Sequence, residues 1–140
     1  MYVGTSIHKV DTADGTECWM MSAEKYVKAA IEHVKLKLSK SNCRLPSCCN
    51  TPMVTAYHPS EDKTKEINAE GLKVYQELIG ILRWAVDIGR VDILLEVSLI
   101  LSQLDFLCVG HLQVVYRVYG YLKQVPKRKM YFDPSKPILY

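Results

Sequence analysis

Residues 91–104 carry apolar side chains on every side of a helical wheel: Ile93, Leu94, Leu95, Val97, Leu99, Ile100 and Leu101. A helix with no polar face sits in the centre of a core or against another chain. A membrane is not the solution. Glu96, Ser98, Gln103 and Asp105 interrupt the apolar stretch 93–109, and a span needs about eighteen apolar residues in a row. The rest of the chain must therefore cover this segment, or a second copy must. Self-association through residues 93–104 is the expected alternative to burial.

The flanking punctuation supplies neighbours. Asn68 is placed to cap a helix running to about Ile88, with Leu72, Tyr75, Leu78, Ile79, Leu82, Ala85 and Val86 on one face. Gly89 stands where a helix-ending glycine belongs. Gly110 opens a further helix, from about His111 to Lys123, with Leu112, Val115, Tyr119 and Leu122 as its stripe, and Pro126 stops it. Upstream, Val27, Ile31, Val34 and Leu38 recur at helical spacing, with Ser22 as the expected N-cap and Glu24–Lys28 as a favourable i,i+4 pair.

The first twenty-odd residues have a different period. Tyr2, Val3, Ile7 and Val10 are strand formers, Asp14-Gly15 is a turn signal, and Cys18-Trp19-Met20 resumes an extended run. Between the first and second helices, residues 39–67 contain Pro46, Pro52 and Pro59 and little apolar periodicity. So long a connection is uncommon in a compact domain unless it is functional or mobile. Pro52-Met53-Val54 is expected as a short extended piece, and residues 61–66 as a solvated loop. The expected fold class is α+β and mostly helical: a hairpin over 1–21, a helix over 22–40, an irregular connection over 41–67, a helical bundle over 68–125, and a basic strand and tail over 126–140.

Composition excludes several functions. With 140 residues, 49% hydrophobic and 24% charged, the chain is neither disordered nor collagen-like. Its five cysteines are too few and odd in number for a disulfide scaffold, and no signal-like segment precedes them. Free thiols and an intracellular location, cytoplasmic or nuclear, are expected. No glycine-rich phosphate loop, no His-Glu-x-x-His helix and no Gly-x-Ser-x-Gly elbow occurs. No two aspartates are adjacent, so a two-metal carboxylate site has no candidate. Cys43, Cys48 and Cys49 with His58 comprise three sulfurs and an imidazole, but the paired Cys-x-x-Cys knuckle is missing and a loop of free thiols is expected. The same cysteines with His58 as a base lack an orienting group and an oxyanion site. Cys18 and Cys108 read as packing residues, and His111 as a polar helix-end histidine. No catalytic and no metal-holding residue is expected.

The net charge of +3 is mildly basic. Lys25, Lys28 and Lys35 form the polar side of the first helix. Arg117 and Lys123 lie on the fourth, followed at once by Lys127, Arg128 and Lys129. Tyr116, Tyr119, Tyr121 and Tyr131 interleave with them. Such cations meet phosphates, and such rings stack on bases or sugars. An ordinary solvated face has the same composition.

Longer motifs add a resemblance to these readings. Tyr75-Gln76-Glu77-Leu78-Ile79-Gly80-Ile81-Leu82-Arg83-Trp84 resembles the "YxxLIGxLxW/Y" helix of copia-type retrotransposon polyproteins. Gly89-Arg90-Val91-Asp92-Ile93 is similar to that family's "xRPDI" turn, with Val91 in place of the proline. His111-Leu112, Arg117 and Tyr121-Leu122-Lys123 match the "HLxxxxRxxxYLK" helix, although Leu107 stands where a proline is common. Tyr2-Val3-Gly4-Thr5-Ser6-Ile7 is similar to the "YLGxxI" strand, and Lys25-Tyr26-Val27 and Thr51-Pro52-Met53 fall in order between. The likeness is collinear and covers nearly the whole chain.

In that family this region belongs to the reverse transcriptase, after the strand with the catalytic aspartates and before ribonuclease H. The resemblance therefore implies an internal slice of a larger polymerase fold: primer grip, thumb and connection, without a catalytic site. Magnesium, which the full-length family enzyme uses, is not expected in this slice. The implied partners are an RNA–DNA or DNA primer–template duplex and the remainder of the polyprotein, with no membrane. The residues implied to touch nucleic acid are Tyr2, Gly4, Lys25, Lys28, Lys35, Arg117, Lys123, Lys127, Arg128 and Lys129. Gly4 would let the backbone pass close to a primer, or would be a strand glycine at a bulge. A small helical interaction protein is the rival reading.

Overall fold

The computed structural model describes residues 4–132. Tyr2, implied to touch nucleic acid, and the linker beyond Phe132 lie outside them. The fold is α+β, with a three-stranded antiparallel sheet and four α-helices among the described residues.

Strands β1 (Ser6–Asp11) and β2 (Glu17–Ser22) form the expected hairpin, with Asp11 opposite Glu17 and Ser6 opposite Ser22. Gly15 takes a φ of +82° in the turn, a conformation open to glycine without cost. The Asp14 carboxylate accepts the Thr16 amide at 3.0 Å, so the turn also closes through a side chain. Strand β3 (Lys129–Phe132) pairs with β2, which makes β2 the central strand. The register sets Lys9, Trp19 and Phe132 in a row across the three strands.

Helix α1 (Glu24–Lys40) buries Val27, Ala30, Ile31, Val34 and Leu38. Its N-cap is Ala23 rather than the expected Ser22, which completes β2 instead; the Ser22 hydroxyl still accepts the Glu24 amide at 3.4 Å. Helix α2 (Ala69–Asp87) begins as expected, with the Asn68 side chain accepting the Gly71 amide at 2.8 Å. Asn68→Ala should cost about 1 kcal/mol, as lost N-caps do. Urea denaturation measures it, and an unchanged midpoint would mean that the cap adds nothing. At the other end the Arg90 amide bonds to the Ala85 carbonyl at 2.9 Å and the Gly89 amide to Val86 at 3.1 Å. With Gly89 at φ +128°, this is a Schellman ending.

The third helix departs from expectation. Residues Val91–Ile93 form a 3-10 turn, α3 spans only Leu94–Leu101, and turns follow over 102–105. Ile93, Val97 and Ile100 reach the core. Leu94, Leu95, Leu99, Leu104 and Phe106 remain exposed, Phe106 at 82%. An eight-residue helix lying on α2 buries one side only, so the segment is a surface element rather than a central one. Helix α4 (Val109–Gln124) is the central element instead, with Val115, Val118 and Tyr119 fully buried against α1 and α2. Each such side chain is worth about 1.5–3 kcal/mol of burial.

The connection is irregular, as expected, apart from a 3-10 turn at Pro59–Glu61. Pro52 and Met53 lie in bends, not in an extended piece. Nor is residue 62 simply solvated. Asp62 accepts bonds from the Tyr57 hydroxyl, from the Thr64 hydroxyl at 2.6 Å and from the Thr64 amide at 2.9 Å. The amide of Gly110 then donates to the Thr64 hydroxyl, and that of Val109 to the Lys65 carbonyl, each at 2.8 Å. The loop thereby satisfies amides at the start of α4 that the helix itself leaves without acceptors.

Candidate nucleic-acid interface

Helices α1 and α4 pack together, and the C-terminal end of α1 borders a groove of about 690 Å³. Lys35 comes from α1, Lys123 from α4, and Arg44 from the connection. Asn42, Ser39 and Ser47 add neutral polar groups, and no carboxylate among the described residues lines the groove. Lys35 pairs with Glu32 one turn away at 2.5 Å. Arg44 and Lys123 have no ion pair among the described residues. Asn42, at φ +52°, turns the chain out of α1 and lets Arg44 face back to the groove. Three cations around neutral donors suit a phosphate backbone, which needs charge and hydrogen bonds but no base readout.

A second basic group forms where α1 begins. Lys28 binds Glu24 at 2.6 Å. The Glu24 carboxyl is held below its usual range, first by that bond and then, against the opposing effect of desolvation, by the charges of Lys28, Lys127 and Lys129. The pairing of Ser22 with Lys129 brings the tail to this end of the helix. Lys25 is exposed close by on α1.

The other expected residues fall elsewhere. Arg128 lies over the Tyr121 ring, 5.9 Å from its centroid, and 3.9 Å from Asp92. Arg117 sits six residues before Lys123, about 120° away around the helix. It donates to the Thr51 hydroxyl at 3.3 Å and lines a different cavity. Gly4 is neither in a strand nor at a bulge. It occupies a turn at φ +95°, and a Cβ there would come within 3.3 Å of the Tyr26 ring.

The interleaved tyrosines are mostly structural. Tyr119 is fully buried and donates to the Leu78 carbonyl at 2.8 Å, while Tyr121 is 5% exposed and donates to Asp92 at 3.0 Å. Burial raises both hydroxyls above the usual tyrosine range, with the Asp92 bond adding to the effect on Tyr121. Of the four, Tyr131 has an open ring, at 58% exposure.

His111 stands at the start of α4, a helix-end histidine as expected, and it is buried there, at 2% exposure. Its Nδ1 accepts the Cys108 amide at 3.1 Å, so its Nε2 carries the proton and donates to the Pro59 carbonyl at 2.7 Å. It is a strut between α4 and the connection. Arg44 was missed because an irregular segment has no period that assigns a side. Cys49 is buried, whereas Cys43 and Cys48 are exposed. Among the described residues no three His, Cys, Asp or Glu side chains are placed to hold a metal ion. No helix among them is long and apolar enough to cross a membrane. Comparison with family models, with curated proteins and with solved structures finds no match for this chain.

Proposed function

We propose that the chain is the primer-grip and thumb part of a copia-type RNA-directed DNA polymerase, a non-catalytic slice of a larger fold that holds a primer–template duplex by its phosphates. The observation that carries this reading is the groove in which Lys35, Arg44 and Lys123 meet, with no carboxylate among the described residues in its lining. The order of elements adds support: a hairpin, a long helix, a connection, helices and a basic strand follow the order of the motifs described above. Binding by backbone charge lets a duplex slide after each nucleotide addition, which base readout would hinder. The remainder of the polyprotein, with its magnesium-dependent catalysis, would complete the enzyme.

Fluorescence anisotropy on an RNA–DNA hybrid at two salt concentrations tests it. Affinity should fall steeply with salt. Changing Lys35, Arg44 and Lys123 together to Gln should weaken binding to every sequence alike and flatten the salt slope, by about 0.9 on B-form DNA for each phosphate no longer neutralised. Changing Lys127, Arg128 and Lys129 together should do the same. Unchanged affinity in both triple variants would sink the proposal.

The exposed apolar side chains of α3 favour a second reading, a helical interaction protein that docks or self-associates through residues 93–104. In that case Leu95→Glu abolishes association on size-exclusion chromatography, and hybrid binding is absent at any salt.

A further inference from the structure

Residues 91–106 leave much apolar surface bare. Among the described residues, six of the fourteen exposed large apolar side chains fall within this segment. On α3 the outward positions are Leu94, Leu95, Ser98 and Leu99, where a surface helix ordinarily carries polar side chains. Beyond α3 the chain adds Leu104, at 50% exposure, and Phe106, at 82%. Apolar side chains gathered in this way on a surface mark a site for a partner. The charge of the same segment narrows the partner. From residue 91 to residue 110 there is no Lys, Arg or His, although the chain carries a net +3. Glu96 and Asp105 have no ion pair among the described residues, and neither has Asp87, four residues before Val91. Helices α2 and α3 both lack a basic residue in the last turn, whereas α1 has Lys37 and Lys40 there and α4 has Lys123. The partial negative charge of a helix C-terminus is thus left unanswered twice, once just before the segment and once within it. A second copy would not answer it, since a twofold interface sets the same patch, and here like charge, against itself.

We propose that this face docks one basic amphipathic helix of another chain, its apolar stripe seated on Leu94, Leu95, Leu99, Leu104 and Phe106 and its Lys or Arg flanks drawn to the acidic groups of the segment. Helices of this kind bind through apolar anchors at i, i+3, i+4 and i+7. Apolar burial supplies the affinity, and the opposite charges fix the orientation and exclude acidic helices. The proposal rests on the docking reading of residues 93–104 and names its occupant. It does not require duplex binding to be absent, because the face shares no residue with the basic groove.

The probe is a fluorescein-labelled peptide of about eighteen residues, five helical turns, with Leu at i, i+3, i+4 and i+7 spacing and Lys elsewhere. Titrated with the full chain, its anisotropy should rise saturably. The same peptide with Glu in place of Lys should bind roughly tenfold more weakly or beyond. Leu95→Gln and Phe106→Ser, at positions 66% and 82% exposed, should each weaken the Lys peptide by roughly tenfold, with little change in the melting temperature of the free protein. Asp87→Asn combined with Asp105→Asn should shrink the preference for the Lys peptide over the Glu peptide. No saturable binding of either peptide would sink the docking surface and the proposal together. Equal or tighter binding of the Glu peptide, or an unchanged preference in the double Asn variant, would leave the docking surface standing and overturn its basic occupant. Undiminished binding by the Leu95 and Phe106 variants, or a dimer in sedimentation that the Lys peptide does not dissociate, overturns the proposal as well.

Discussion

Arg90→Met should destabilise the protein by about 3–5 kcal/mol, the usual cost of breaking a buried ion pair from one side. Arg90 is 1% exposed, and its Nε and Nη2 grip the two oxygens of Asp92 at 2.9 and 3.0 Å. The Tyr121 hydroxyl donates to the same carboxylate. Without the guanidinium, Asp92 stays in a site built for a charge pair. The loss should sit near the lower end of the range, because Nη1 of Arg90 has no partner among the described residues and the native pair already carries that penalty. The double variant Arg90→Met/Asp92→Leu should recover much of the stability, since an apolar pair of similar volume often replaces a buried ion pair without loss. Urea denaturation measures all three. The pH dependence has a definite sign. Burial works to raise the Asp92 carboxyl, but the bond and charge from Arg90, with the Tyr121 bond, outweigh it and the net shift is downward. A depressed folded pKa adds stability above the unfolded value, near 3.9, and that stability fades as pH falls through the folded one. The gap between the native chain and Arg90→Met should therefore narrow in acid. A gap that is constant from neutral pH to pH 3 would show that the pair is not its source.

Gly120→Ala should cost about 1–3 kcal/mol, the range for overpacking a core. Helix propensity predicts the opposite, since Ala is favoured over Gly inside a helix by about 1 kcal/mol. Packing wins here because a Cβ on Gly120 would lie 2.8 Å from the Pro46 carbonyl oxygen and 2.9 Å from the Cys49 sulfur. The first of these is backbone and cannot swing aside. Gly80→Ala is the internal control: nothing lies within 4 Å of its Cβ position on α2, and it should stabilise by about 0.5–1 kcal/mol. The same substitution at two helical glycines should thus move the thermal midpoint in opposite directions. A higher midpoint for Gly120→Ala would mean that the connection does not rest on α4.

These two sites also mark where sequence reasoning stops. The hairpin was legible from strand formers around Asp14-Gly15, and α1 and α2 from apolar spacing, because those signals are local. The cap at Asn68 and the ending at Gly89 were legible for the same reason. The third helix was not, because a segment with apolar side chains on every side of the helical wheel does not say how much of it a core can hold. Only Ile93, Val97 and Ile100 found room. In the connection, Cys49, Asp62 and Arg44 owe their surroundings to α4 or α1, which are remote in sequence. The basic residues were legible as a set, but not their partition into a groove at Lys35 and Lys123, a cluster around Glu24, and the separate places of Arg117 and Arg128.

The order β1-β2-β3 has a consequence for biosynthesis. Strand β2 is made early, yet its second edge is covered by a strand about a hundred residues later. At roughly 5–20 residues per second on the ribosome, that edge waits for several seconds or more after the hairpin emerges. Throughout that interval the backbone groups of Trp19, Met20 and Met21 are available to any other extended chain. Nascent-chain stalling before Lys129 should therefore leave a product that aggregates or recruits chaperones, while the chain released after synthesis of β3 should not.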